Sequence, residues 1–351
     1  MIRKPAATAS EKSAKESHGV PMPSLLDPPD AAQAAGFARE FGRRFLVTVD
    51  TEEEFDWAKP FTRDRHGLTH LSAIARFQRF CESNEVKPVY LVDYPVATSR
   101  TAADIIGPAL DAGTAEIGIQ LHPWVSPPFD EELSERLSFA GNLPYDLERA
   151  KFSQLYEAIL GNFGRPPIMY RAGRYGLGPN TAQILRDHDI RVDSSVRAKW
   201  DYAATGGPNY RAHPVHPYWV NEGHDLLECP LTSVFTGPFA GFGDRLYPAM
   251  WRAPRLRGLL ARSGLLQRIP LTPEGVTLAE ARKCVDAALD GGVELLVASF
   301  HSPSLATGHT PYVQDEAQLD ALYDWWRGFF SHCRTRGVEP ASTADVIEAA
   351  R

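Results

Sequence analysis

Four cysteines in 351 residues, at positions 81, 229, 284 and 333, form no CxxC pair and share no regular spacing. That argues against a zinc knuckle and against a disulfide framework. Cys81, Cys284 and Cys333 fall at apolar positions of helical patterns, where a buried thiol is the ordinary outcome. So sparse a thiol set fits a reduced, cytoplasmic setting. No run approaches the roughly 20 apolar residues that cross a bilayer. The opening MIRKPAATASEKSAKESHG lacks the apolar segment of a secretory leader. Basic residues are in deficit, 37 Lys and Arg against 44 Asp and Glu, for a net charge of −7. A dedicated nucleic-acid binder needs a clustered basic excess to meet phosphates, so no nucleic-acid partner is expected. An anionic small substrate stays compatible, because a local basic cluster can override the global sign. Internal repeats, a phosphate-loop glycine pattern and a GxSxG nucleophile elbow are all missing, which argues against solenoids, nucleotide binding and a serine triad.

Forty-three per cent of the chain is hydrophobic, enough for one large core. Residues 1–40 are rich in Ala, Ser, Lys, Glu and Pro without periodicity and are expected to be a disordered N-terminal segment, with a short helix around Asp30–Phe41. From residue 41 to 351 the pattern is that of a folded unit. Apolar, β-branched runs predict strands at 44–50, 88–92, 115–121, 168–171, 192–195, 226–230 and 293–300. Between them, apolar stripes predict helices at 71–80, 101–112, 147–163, 181–187, 278–289 and 319–333. Alternating strands and helices predict an α/β fold with a mostly parallel sheet, and seven units suggest a barrel. Residues 232–275 break the rhythm as an inserted loop and helix region, with a basic helix from Arg252 to Arg268.

Polar residues recur where the apolar strands stop: Asp50 to Glu54, His122-Pro123-Trp124, Arg171 to Gly176, Asp193-Ser194-Ser195 and His301-Ser302-Pro303-Ser304. In a parallel α/β barrel these C-terminal ends converge on one face, and that face hosts the site. Each residue also has a plainer reading. Asp50 can be a helix N-cap. Glu53 and Glu54 read as solvated loop acids, and His122 as a satisfied buried histidine. Trp124 reads as a pocket wall. Arg171 or Arg174 can serve as a structural partner of Asp50 or Asp193. The basic helix reads as a surface face or an oligomer contact.

The order of the motifs resembles the polysaccharide deacetylases of carbohydrate esterase family 4, the NodB-homology group, and within it the WalW-like branch associated with bacterial lipopolysaccharide biosynthesis. The resembling phrases are Val47-Thr48-Val49-Asp50-Thr51-Glu52, Glu116-Ile117-Gly118 leading to Leu121-His122-Pro123-Trp124, Tyr170 to Gly176, Phe300 to Ser304 and Gly308 to Val313. The resemblance spans about residues 43–335. It implies a distorted (β/α)7-type barrel that hydrolyses N- or O-acetyl groups of sugars with a divalent metal, usually zinc. Asp50 matches the family's base, Arg171 the arginine that orients it, and His301 the general acid. Thr51 stands where the family has a metal-binding Asp, with Glu52 one place on. Gln120 and Trp124 stand where it has two histidines, with His122 between them.

The resulting expectation is a hydrolase acting on carbon–nitrogen bonds other than peptide bonds, with an acetylated sugar or oligosaccharide as substrate. Asp50, His301 and Arg171 would be catalytic, and Trp124, Arg174, Tyr175 and Ser302 would bind substrate. Glu52 and His122 would hold the metal. The alternatives are a catalytically inactive barrel that binds a sugar or a biosynthetic partner, and a hydrolase of cyclic or linear amides outside carbohydrates.

Overall fold

Each apolar, β-branched run forms a strand, and most are buried on both faces, as parallel strands covered by helices must be. A computed structural model describes residues 23–56, 59–250 and 253–351. The expectation of disorder for residues 1–22, and Arg252 at the head of the expected basic helix, lie outside the described residues.

The strands are β1 (Arg43–Thr51), β2 (Val89–Val92), β3 (Glu116–Leu121), β4 (Met169–Ala172), β5 (Val192–Asp193), β6 (Tyr218–Trp219), β7 (Leu227–Glu228), β8 (Ser233–Thr236), β9 (Gln267–Pro270), β10 (Leu295–His301) and β11 (Val338–Pro340). Nine of them make one sheet in the order β10-β1-β2-β3-β4-β5-β7-β6, with β11 also on β1. Every pairing from β10 round to β7 is parallel, and β6 alone runs antiparallel, against β7. Helices Leu71–Glu82, Arg100–Ala112, Tyr145–Phe163 and Thr181–Asp187 return the chain between successive strands, and Leu278–Asp290 and Glu316–Thr335 flank β10. This is the α/β, (β/α)7-type barrel, with seven parallel strands in a strongly curled sheet. All four cysteines are free and buried. Among the described residues no helix is long and apolar enough to cross a membrane.

The gap between the sheet's two ends is bridged by irregular chain. The Leu231 N–H donates to the Val196 carbonyl at 2.9 Å, and the Thr232 N–H to the Val297 carbonyl at 3.2 Å. Val297 N–H returns a bond to the Thr232 hydroxyl at 2.8 Å, and Ser299 N–H reaches the Leu271 carbonyl at 3.2 Å. Between those anchors the chain leaves the barrel. β8 and β9 pair antiparallel, Ser233 opposite Pro270 and Thr236 opposite Gln267, and two short helices, Gly243–Ala249 and Pro254–Arg262, sit beyond them. The basic helix therefore stops at Arg262 and does not run to Arg268. Gly264 takes a positive φ of 71°, which reverses the chain so that β9 can return along β8.

Residues 23–41 are also fixed, contrary to the disorder that composition suggests. Leu25 and Phe41 are buried. The Gln33 amide donates to the carbonyls of Trp219 and Val220 at 3.0 and 3.2 Å, and Ala34 and Phe37 bridge to Tyr218 and Ala350. In place of one helix over 30–41 there are two single 3-10 turns, Ala31–Gln33 and Arg39–Phe41. A few anchors hold what a polar composition alone would leave loose.

Candidate active site

Strand parity decides what faces the lumen. On β1, Leu46 belongs to the cluster inside the barrel, while Phe45, Val47 and Val49 pack into the layer beneath the helices. Side chains alternate with a period of two, so Thr48 and Asp50 continue the inward row. The same count from Leu91 reaches Asp93, from Met169 reaches Arg171, and from Val297 reaches Ser299 and His301. On β3, Ile117, Ile119 and Leu121 join the outer layer, which leaves Gln120, and His122 one step past the strand, facing in. Those at the C-terminal strand ends, Asp50, Gln120, His122, Arg171 and His301, gather around a cavity of about 220 Å³. Asp50, Glu52, Gln120, His122, Trp124, Arg171, Arg174, Tyr175 and His301 line it together with Phe55, Lys59 and Phe61.

One wall is an acid–base pair. The Arg171 guanidinium is fully buried and ion-paired with Asp50. Its remaining donors reach the Thr48 hydroxyl at 3.0 Å, the Ser194 hydroxyl at 3.0 Å and the Ser194 carbonyl at 2.8 Å. A guanidinium so saturated has one orientation, and it fixes Asp50 with it. Across from it, His301 Nε2 lies 3.8 Å from Asp50 Oδ2. His301 Nδ1 is held at 2.6 Å by Glu274, which also accepts from the Ser304 hydroxyl at 2.6 Å and the His301 N–H at 3.2 Å. Burial pulls the His301 pKa down, but Glu274, Glu52 and Asp50 outweigh it and push it up to about 10.

The opposite wall is a second histidine with its own carboxylate. His122 Nδ1 lies 2.9 Å from Glu53 Oε2, and the Trp124 indole N–H donates to Glu53 Oε1 at 2.7 Å. The Glu53 N–H donates to Asp93 at 2.7 Å, and Asp93 also caps the turn at Tyr94–Ala97 through the Val96 N–H at 2.9 Å. Burial raises the Glu53 and Asp93 carboxyls and lowers the His122 imidazole. His122 Nε2 faces Glu52 Oε2 at 3.5 Å, and the Gln120 amide donates to the same oxygen at 3.2 Å. Glu52 is pushed up to about 8, chiefly by burial, against the pull of His301 and His122. Trp124 stacks on the His122 ring at 4.2 Å, and the Phe61 ring lies tilted against it at 4.5 Å.

Two groupings at this wall suit a cation. Glu53, Asp93 and His122 each offer one ligand atom within 4.8 Å of the others. Nearer the cavity, His122 Nε2 and Glu52 Oε2 share a corner, and the Gln120 amide N–H points at the same oxygen. His122 Nε2 and the Glu52 carboxylate fit a divalent ion in donor type, one nitrogen with carboxylate oxygen. Glu53 then stands behind His122, fixing its tautomer, as outer carboxylates commonly do for metal-bound imidazoles.

Of the nine residues singled out from the sequence, eight meet at the cavity and Ser302 does not. Ser302 is fully buried behind it, with its hydroxyl 2.8 Å from His70 Nε2 and 3.4 Å from the Glu52 N–H. His70 Nδ1 in turn meets Glu54 at 2.9 Å. Glu53 and Glu54 are thus not solvated loop acids; each holds a histidine. Sequence reasoning also passed over Glu274, Asp93 and His70. The only available sign for Asp93 was its place one residue past a predicted strand. Arg174 and Tyr175 sit in the left-handed region, φ 55° and 60°, where non-glycine side chains are strained. That kink turns both into the cavity, and Arg174 lies over the rings of Phe61 and Phe139 at 5.1 and 4.1 Å.

The architecture is that of polysaccharide-deacetylase barrels. A candidate polysaccharide deacetylase from Mycobacterium smegmatis superposes with a TM-score of 0.51 at 18% identity, over 92% of this chain and 94% of that one. A candidate glycoside hydrolase/deacetylase from Parabacteroides distasonis gives 0.52 at 13% identity, over 85% of this chain and 70% of that one. The allantoinase Puue gives 0.50 at 13% identity, over 92% and 93%. Identities this low define the fold alone. No family model and no curated protein sequence matches the chain.

Proposed function

We propose that the protein is a carbohydrate deacetylase-like hydrolase, cleaving N- or O-acetyl groups from a sugar or oligosaccharide. The observation that carries this reading is the facing pair Asp50 and His301, each locked by an opposite charge, Arg171 and Glu274. Asp50 takes a proton from water as its oxygen attacks the acyl carbon. The tetrahedral intermediate collapses when His301 passes a proton from Nε2 to the departing nitrogen or oxygen. Acetate and the free amine or hydroxyl result. A pKa near 10 keeps His301 charged at neutral pH, as a general acid must be.

Glu52 and His122 would hold a divalent metal, zinc by resemblance, and such an ion would supply carbonyl polarisation and a more acidic water. Tyr175 offers ring surface for a sugar face and Arg174 a cation at the cavity edge, while Trp124, buried between His122 and Phe61, shapes the wall behind the sugar. Ser302 acts from behind, through its contact with the Glu52 N–H. The order of the motifs supports the WalW-like branch and, with it, a cytoplasmic role in assembling lipopolysaccharide or another surface polysaccharide.

The test is acetate release from a panel of N- and O-acetylated oligosaccharides, with small cyclic and linear amides alongside. Asp50→Asn should lower kcat by roughly 10² to 10⁴ on whichever acetylated sugar responds. Undiminished turnover would remove Asp50 as the base. Turnover of the amides alone would move the substrate outside carbohydrates.

A further inference from the structure

The excursion carried by β8 and β9 turns its apolar side chains outward. Five of the ten large apolar side chains that are exposed among the described residues fall within residues 239–259: Phe239, Phe242, Leu246, Leu256 and Leu259. Phe242 is 58% exposed and Leu259 57%. On the helix Pro254–Arg262, Leu256, Leu259 and Leu260 stand at i, i+3 and i+4 and so form one stripe. A surface helix normally lays such a stripe on the core. Here none of the helix's described residues is buried.

The charge of the same segment is opposite to that of the chain. Residues 237–263 contain five arginines and a single acid, Asp244, in a protein of net charge −7. Lys199 already neutralises Asp244, at 3.1 Å. Arg245, Arg255 and Arg262 are exposed, and among the described residues none of the three is in an ion pair.

We propose that this face rests on the surface of an anionic phospholipid bilayer. The arginines meet lipid phosphates while the phenylalanines and leucines enter the acyl boundary, the division of labour of interfacial segments. A second copy of the chain is the poorer occupant, because a two-fold contact through this face would set arginines against arginines. The placement has a consequence for the site. The chain leaving β9 at Pro270 runs on to Glu274, which holds His301, so the docked face and the acid–base pair share one stem.

The test is sedimentation of the full-length protein with vesicles of phosphatidylcholine and phosphatidylglycerol at 3:1, and with phosphatidylcholine alone. Binding to the anionic vesicles is expected, weakening in 0.5 M salt as screening requires. Arg255→Gln with Arg262→Gln should weaken it roughly 30-fold, two arginines at about a factor of five each. Leu256→Asp with Leu259→Asp should abolish it. Both variants change exposed side chains, and circular dichroism checks their folding; should one fail to fold, the other still decides. Absence of binding to anionic vesicles overturns the proposal, as does equal binding to phosphatidylcholine that ignores the arginine changes. Capture by an acidic polypeptide such as polyglutamate without vesicle binding, or a dimer in ultracentrifugation that Leu256→Asp with Leu259→Asp dissolves, assigns the face to a protein partner and also overturns it.

Discussion

The two nitrogens of His122 have different partners, Glu53 at 2.9 Å and Glu52 at 3.5 Å. Both Glu53 oxygens accept, one from His122 and one from Trp124, so His122 keeps its proton on Nδ1 and presents a lone pair at Nε2 toward the cavity. In Glu53→Gln one acceptor becomes an amide donor. We expect the tautomer to reverse, visible in the ¹⁵N shifts of His122, with affinity for a divalent ion falling roughly 10- to 100-fold. An unchanged tautomer would mean that Glu53 does not set it. The neighbouring acids also show where sequence reading stops. Asp50, His122, Arg171 and His301 were legible because each is a titratable residue standing where a largely apolar strand stops. Glu53 was not, since a run of three glutamates looks like a solvated loop, and its partners stand 69 and 71 positions away. Glu274 lies in the stretch without periodicity, so nothing local tied it to His301.

At the scale of elements, the cavity depends on close approach between the ends of β3 and β4. A Cβ on Gly173 would come within 2.3 Å of His122 Cδ2 and 2.6 Å of the Leu121 carbonyl. Gly173→Ala should therefore displace His122, costing about 2 kcal/mol of stability and most of the activity, as read by thermal unfolding and acetate release. Gly161, inside the helix Tyr145–Phe163, has nothing within 4 Å. Gly161→Ala should raise stability by about 1 kcal/mol and leave turnover alone. A loss on both changes would show that space is not the governing factor. The long strands and helices were readable from their periodicity. The two-residue β6, the three-residue β11 and the β8–β9 pair were not, because none of them lies in an apolar run longer than three residues. They exist through tertiary contacts, among them the seat that β6 gives to Ala34.

For the molecule as a whole, the helix layer sets a pH dependence of its own, away from the cavity. Glu148 is buried in the helix layer, accepts from the Thr181 hydroxyl at 2.6 Å on one oxygen and has no partner on the other. Burial pushes its pKa up to about 7 from 4.5. The folded state thus holds this proton where the unfolded chain has released it. Its contribution is fully present below about pH 4.5, is lost as pH rises toward 7, and amounts to roughly 3 kcal/mol. Glu148→Gln keeps an acceptor for Thr181 and removes the titration. Urea unfolding at pH 5 and pH 8 should show the native protein losing that margin relative to the variant; parallel curves would clear Glu148 of any role. The neck of the excursion has a different consequence at this scale. Gly237 and Gly264 pass so closely that a Cβ on the first would stand 2.4 Å from the carbonyl of the second, and the bonds that bridge the sheet lie at Thr232 and Leu271, outside that crossing. The loop beyond the neck is therefore expected to behave as a separable cassette: joining residues 237 and 264 through a tight turn should leave the bonds at Thr232 and Leu271, and with them the barrel, in place.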